Sequence, residues 1–185
     1  MIRLINKFLL HKVWGWKIEG RFPSPEDAPK YLAIGGPHTS NWDFILSIMA
    51  RQIQGAKIKF IAKKSLFTFP LGIIMRALGG YPVDRRTTKN YVDFIIDTFN
   101  AKKEFAIAIT PEGTRRKVDR FKTGFFYIAT GANIPIVITI FDAGTKTFRI
   151  MPPYYMTGEL ETDLDKVSSF YRGIKGINPK DGVFF

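Results

Sequence analysis

Between Lys30 and Phe141 the chain changes periodicity repeatedly, from short apolar runs to stretches with helical spacing and back, and this alternation restricts the fold class more than any other feature. Residues 30–35 form a short apolar run that reads as a buried strand, and the spacing over residues 41–53 predicts a helix. Gly55 breaks that helix, and the alternation over residues 57–62 suits a second strand. Residues 70–80, apolar and bounded by glycine, predict another short helix. Tyr91, Phe94, Ile95, Thr98 and Phe99 follow the i, i+3, i+4, i+7, i+8 spacing of a helix face. Residues 104–110 then give a strand whose unbroken apolar centre implies burial on both faces. A loop, a basic segment, a helix and a strand over residues 134–141 follow. Asp142-Ala143-Gly144-Thr145 reads as a turn joining that strand to residues 147–151 as a hairpin, and Leu160, Leu164, Val167 and Tyr171 indicate a last helix. The expected fold is a single α/β domain with a largely parallel or mixed central sheet flanked by helices. With 185 residues, 45% hydrophobic, and no repeat or low-complexity linker, one domain over 1–185 is expected.

In α/β sheets, ligands bind beyond the carboxyl ends of strands. Two segments fall there. After the first strand comes Gly36-Pro37-His38-Thr39-Ser40-Asn41-Trp42-Asp43, which joins an imidazole and a carboxylate five residues apart. A neutral imidazole takes a proton from a hydroxyl, and a carboxylate on its other nitrogen fixes the tautomer. On one continuous helix that spacing would turn the two side chains about 140° apart, so His38 must precede the helix and Asp43 must point back from it. A second reading of Asp43 stays open: Ser40 and Asp43 fit a capping box, in which the carboxylate only satisfies backbone donors. After the strand at residues 104–110 comes Thr110-Pro111-Glu112-Gly113-Thr114-Arg115, where a glycine lets backbone amides approach a ligand and a guanidinium can fork onto an anion.

Together with Lys63-Lys64-Ser65-Leu66 through Tyr81-Pro82-Val83-Asp84-Arg85, then Phe121-Lys122-Thr123-Gly124, and Ile134-Pro135-Ile136-Val137, these segments resemble, in order, the motifs of the glycerolipid acyltransferase family. Pro37, Ser65, Arg116 and Ile138 depart from the usual residues, and they fall where an acceptor pocket would be shaped. The resemblance implies that an acyl group moves from a coenzyme A or acyl-carrier-protein thioester to the hydroxyl of a lysophospholipid, with 1-acylglycerol-3-phosphate the first choice. It implies that His38 is the base and Asp43 its partner, and that Arg85, Glu112, Gly113, Thr114 and Arg115 hold the acceptor. Glu112 fits that role least simply, because a carboxylate repels phosphate; orienting an arginine, accepting from a glycerol hydroxyl, or a buried loop ion pair are the other readings.

The net charge of +12 implies anionic partners. With no cysteine and only His11 and His38 as imidazoles, neither a thiolate nucleophile nor a Cys- or His-rich metal site is expected, and no cofactor beyond the acyl donor. No G-x-S-x-G elbow occurs, which disfavours a serine hydrolase. The rival class is a noncatalytic basic module for anionic membrane or nucleic acid. It leaves the two spaced motifs unexplained, so nucleic acid is not the expected partner. Residues 1–18 mix apolar, aromatic and cationic side chains without an acid and are too interrupted for a membrane span. Leu4, Ile5, Phe8, Leu9, Val13 and Trp16 could line one face of an interfacial helix, placing the protein peripherally on the cytoplasmic face of a membrane, or the same face packs on the domain itself.

Overall fold

A computed structural model describes residues 1–83 and 91–181. Among the described residues, seven strands form one mixed sheet: β1 (Lys17–Glu19), β2 (Lys30–Gly36), β3 (Ile58–Lys63), β4 (Gly80–Val83), β5 (Phe105–Ile109), β6 (Ile136–Asp142) and β7 (Thr147–Ile150). The spatial order is β1-β7-β6-β2-β5-β3-β4. All neighbouring pairs are parallel except β6 with β7, the expected hairpin. Its turn is held by Asp142, whose Oδ1 accepts from the amides of Gly144 and Thr145 at 3.0 and 3.3 Å. β6 starts two residues later than the apolar run, since Pro135 has no amide to donate; its carbonyl instead accepts from Leu32 at 3.0 Å. The edge strand β1 is too short and too polar to show a strand period, and only its parallel pairing with β7 defines it.

The helices are α1 (Ile2–Phe8), continued by a π-helical turn at Leu9–Val13, α2 (Asn41–Gln54), α3 (Leu71–Ala77), α4 (Tyr91–Asn100), α5 (Gly124–Gly131) and α6 (Leu160–Ser169). Their distribution follows from the strand order. The connections β2-α2-β3 and β3-α3-β4 step one way across the sheet, and β4-α4-β5 and β5-α5-β6 step back, so right-handed crossovers put α2 and α3 on one face and α4 and α5 on the other. The buried residues divide accordingly. Leu32, Ile34, Ile107, Ile136 and Ile138 point to the α4, α5 and α6 side with Ile95, Phe99, Phe125 and Ile128. Tyr31, Ala33, Ala106, Val137 and Phe141 point to the α2 side with Leu46, Met49, Ala50 and Ile53. The central strands are therefore buried on both faces, as the period-2 side-chain alternation demands of an apolar run.

Residues 1–18 pack on the domain along one side and leave apolar side chains exposed on the other. Leu10 and Trp16 are buried, Asn6 hydrogen-bonds Gln52 at 2.5 Å, and Trp14 meets Trp42 edge-on at 5.4 Å, so the segment is fastened along α2. Leu4, Ile5, Phe8 and Val13 are exposed. Trp16 thus leaves the expected interfacial face, because the chain turns at Gly15 to enter β1 and carries the indole into the core.

Tyr171, beyond α6, is 1% exposed, and its hydroxyl reaches the carbonyls of Ile34 on β2 and Thr139 on β6 at 3.2 and 3.3 Å. It ties the last helical segment to β6 and to β2, the strand that leads into the His38 loop. Replacing Tyr171 by Phe leaves those carbonyls beside an apolar edge and should cost about 1–3 kcal/mol, read from the urea midpoint at unchanged m-value.

Candidate active site

β2 and β5 pair in parallel register, Leu32 with Ile107 and Ile34 with Ile109, so the loops that follow them leave the same edge of the sheet. The His38 and Glu112 segments, 74 residues apart in sequence, therefore meet. The backbone amide of His38 donates to Glu112 Oε1 at 2.9 Å. Gly36 makes the approach possible, since a Cβ there would sit 3.1 Å from that carboxylate oxygen and 3.0 Å from the Tyr171 ring.

His38 lies in the bend between β2 and α2, after a cis peptide joining Gly36 to Pro37. Its Nδ1 is 3.2 Å from Asp43 Oδ2. The same oxygen accepts the amides of Thr39 and Ser40, each at 2.7 Å, while Ser40 Oγ accepts from the Trp42 amide at 3.2 Å. Asp43 thus caps α2 and contacts the imidazole at once, and the two readings of its sequence context are not alternatives. The Asp43 side chain is fully buried, whereas that of His38 is 21% exposed. A carboxylate on Nδ1 selects the tautomer with the proton there, leaving Nε2 as an acceptor. Asp43 Oδ1 is buried with no hydrogen-bond partner among the described residues.

Glu112 is 3% exposed; its Oε2 is likewise without a partner. Burial pushes its carboxyl up from the ordinary 4.5 to about 7, against the lowering effect of the His38 amide. Gly113 adopts φ +65, the left-handed region that glycine enters without strain, and Lys122 folds over it so closely that a Cβ there would meet Nζ at 2.9 Å. Thr114 Oγ1 accepts from the Arg116 amide at 3.2 Å. Arg115 is exposed and donates to the side-chain carbonyl of Asn41, the first residue of α2. The structure therefore gathers His38, Asp43, Glu112, Gly113, Thr114 and Arg115 at one edge. Arg85 lies outside the described residues.

A cavity of about 1220 Å³ opens onto this edge. Its wall includes His38, Asp43, Gly113, Thr114, Arg115 and Lys122 at the polar end, and continues over Phe44, Ile45 and Ile48 of α2, Phe60 and Ile61 of β3, and Leu66 and Met75. An imidazole, cations and a long apolar wall in one space suit an amphiphile: a charged head beside the arginine and lysine, a hydrocarbon along α2. Lys122 was legible in sequence as part of the Phe121-Lys122-Thr123-Gly124 segment without a role of its own; its place over Gly113 depends on the turn between Pro111 and Phe121, closed by the Lys122 amide on the Pro111 carbonyl at 2.9 Å. A second element had no sequence signal. Asn178 donates its amide to Thr39 Oγ1 at 3.1 Å and its Nδ2 to the Thr39 carbonyl at 2.8 Å, so the carboxy-terminal segment braces the His38 loop from outside.

The family model described as Acyltransferase matches residues 23–141, a span that contains both motifs. The chain belongs to the acyltransferase family. It is 26% identical to a 1-acyl-sn-glycerol-3-phosphate acyltransferase of Haemophilus influenzae over 87% of this chain and 73% of the relative. A chloroplastic 1-acyl-sn-glycerol-3-phosphate acyltransferase of Brassica napus is 34% identical over 62% of this chain but only 34% of its own length. The Escherichia coli enzyme of the same name is 29% identical over 69% of this chain and 54% of its own. The chain thus spans from about a third to about three quarters of these three relatives. The crystal structure of a 1-acyl-sn-glycerophosphate acyltransferase from Thermotoga maritima superposes with a TM-score of 0.56 at 19% identity, covering 91% of this chain and 78% of that one, and so shares the fold.

The Glu112 carboxyl gives a pH signature. The folded state keeps that proton up to about pH 7, whereas the unfolded chain releases it near 4.5, so between those values the unfolded state binds fewer protons. Stability then falls as pH rises through this window, by on the order of 3 kcal/mol in total, and levels off above it. Glu112→Gln retains an oxygen for the His38 amide and has no proton to lose. Urea midpoints from pH 4.5 to 8 should show the variant gaining on the wild type as pH rises; parallel curves would mean that Glu112 titrates normally.

Proposed function

We propose that this chain is an acyltransferase that moves a fatty acyl group from a coenzyme A or acyl-carrier-protein thioester to the hydroxyl of 1-acylglycerol-3-phosphate. The observation that carries the reading is the His38–Asp43 pair at the polar end of a cavity whose wall runs on into apolar α2 and β3. Family membership and the names of the relatives support the reaction class. A basic module that only bound anions accounts for Asp43 as a helix cap but not for the imidazole held beside it at the mouth of an apolar cavity.

In this mechanism Asp43 holds His38 with Nδ1 protonated, and Nε2 takes the proton of the acceptor hydroxyl as its oxygen attacks the thioester carbonyl. The tetrahedral intermediate collapses, the carbon–sulfur bond breaks, and the leaving thiolate takes the proton back from the imidazolium. The acceptor oxygen has gained the acyl group, and His38 is neutral again. Asp43 lowers the energy of the transient imidazolium by Coulomb attraction in a site where it is itself shielded from water. Arg115, with Lys122 beside it and Arg85 from the preceding basic segment, binds the acceptor phosphate; Gly113 and Thr114 shape the turn that carries Arg115. Glu112 contributes by holding the His38 backbone. The donor is a substrate, and the scheme assigns no step to a metal.

Purified protein supplied with a labelled acyl thioester and a panel of lysolipids should form diacylglycerol phosphate from 1-acylglycerol-3-phosphate faster than any other product in the mass spectrum. His38→Ala should keep the urea midpoint within reach of wild type and lose roughly 100-fold to 10,000-fold in turnover. Asp43→Asn retains a capping oxygen but lacks the charge, so it should lose turnover while α2 stays formed. Wild-type rates in either folded variant would remove the pair from the reaction.

The protein is proposed to work peripherally, at the cytoplasmic face of a membrane, with residues 1–18 as an interfacial segment. No helix among the described residues is long and apolar enough to cross a bilayer. Leu4, Ile5 and Phe8 supply the outward apolar contact and Arg3, Lys7 and Lys12 the attraction to anionic headgroups. Serine at Leu4, Ile5 and Phe8 together should weaken flotation with anionic vesicles at high salt, leaving the rate on a dispersed short-chain acceptor unchanged. Equal flotation of variant and wild type would place the membrane contact elsewhere.

A further inference from the structure

Residues 66–74 form a second outward-facing apolar surface, separate from the amino-terminal segment. Leu66, Phe69, Leu71, Ile73 and Ile74 are all exposed, Phe69 at 86% and Ile73 at 63%. A surface helix ordinarily turns such residues inward. Here α3 is docked the other way round, by Gly72: a Cβ at that position would stand 2.1 Å from the Phe67 carbonyl oxygen, and Phe67 itself is buried beneath the Arg76 guanidinium at 5.7 Å. The close approach of Gly72 is what leaves Leu71, Ile73 and Ile74 pointing away from the domain.

The placement of this surface in the whole molecule limits what can cover it. α3 lies on the same side of the sheet as α2, and Leu66 and Met75 share the cavity wall with Phe44 and Ile48. Among the described residues, the exposed large apolar side chains outside α1, α2 and this segment and their flanks are Tyr127 and Tyr155. The apolar exposure is thus concentrated on one side of the sheet. The charge along this stretch is of one sign: from Phe44 to Val83 the sequence contains no acidic residue, but it contains Arg51, Lys57, Lys59, Lys63, Lys64 and Arg76. An apolar surface whose flanking charges in sequence are all cationic disfavours a second copy of itself and attracts a layer that is apolar beneath and anionic at its surface.

We propose that residues 66–74 insert into an anionic lipid bilayer as a membrane contact independent of residues 1–18, and bring the α2–α3 end of the cavity against the membrane. This shares with the proposed function the lipid nature of the acceptor and the peripheral placement at a membrane. Apolar insertion supplies a salt-resistant part of the binding, and the cationic border supplies a part that salt screens.

The absence of cysteine makes the test direct, since one introduced thiol can be labelled without removing any other. Phe69→Cys and Ile73→Cys, each carrying an environment-sensitive fluorophore, should shift to the blue when vesicles of phosphatidylcholine and phosphatidylglycerol are added, and should be quenched by lipids with a quencher in the acyl chain. Tyr127→Cys, on the opposite side, should do neither. Serine at Phe69, Ile73 and Ile74 together, with residues 1–18 intact, should reduce vesicle binding in high salt by about tenfold or more while the urea transition persists. Unchanged emission at positions 69 and 73 with protein bound to vesicles, an equal shift at position 127, or no binding to these vesicles at all would each overturn the proposal. So would a concentration-dependent shift without lipid, which would identify a second copy as the occupant. No donor or acceptor is present in these measurements, so failure here is separate from failure of the acyl transfer.

Discussion

The parallel ladder between β2 and β5 is the constraint on which the site depends. By setting Ile34 against Ile109 it brings the ends of two loops to the same level at one sheet edge, and the Glu112 carboxylate then reaches the His38 amide. A slip of one residue in that register would exchange the two faces of one strand relative to the other and put Ile107 on the opposite side of the sheet from Leu32 and Ile34. The register that buries the core is therefore the same one that assembles the site. β6, on the other side of β2, completes the arrangement through Tyr171, which holds β2 and β6 together just below the bend that carries His38.

Two buried carboxylates share this small volume and have different surroundings. Asp43 Oδ2 receives two backbone amides and the imidazole, because the start of a helix naturally offers unpaired N–H groups. Glu112 receives the His38 amide at the end of a strand, where fewer donors converge, and burial pushes its carboxyl up to about 7. The charged partner for His38 is thus supplied by the helix cap, and the brace on its backbone by the strand end. Asn178 adds a third hold through Thr39, so the bend between β2 and α2 is fixed from inside, below and outside.

The sheet also separates two kinds of surface. On the α4, α5 and α6 side, the apolar side chains are consumed by the core. On the α2 side, buried residues face the sheet, yet α1, α2 and the α3 segment still present apolar side chains outward. The cavity wall takes in much of this second layer, from Phe44 and Ile48 of α2 to Leu66 and Met75, and reaches Phe125 and Ile128 of α5 at the polar edge. For an amphiphilic substrate such a layout keeps the head group at the imidazole while the hydrocarbon remains in apolar surroundings.

The alternation of apolar runs and helical spacing determined the α/β class, the central buried strands and the β6–β7 hairpin, because period and burial are local properties of a chain. The spacing of His38 and Asp43 determined that the imidazole had to sit before the helix and the carboxylate had to point back, since helix geometry permits nothing else. The family was legible from the order of its motifs. Only the tertiary structure decided the rest. That Trp16 turns into the core and that α3 faces outward were settled by a turn at Gly15 and a close approach at Gly72, single contacts that composition and periodicity do not encode. That Glu112 holds a backbone amide, and that Asn178 braces Thr39, depends on segments 74 and 139 residues apart in sequence meeting in space, and such meetings follow from strand order and register alone.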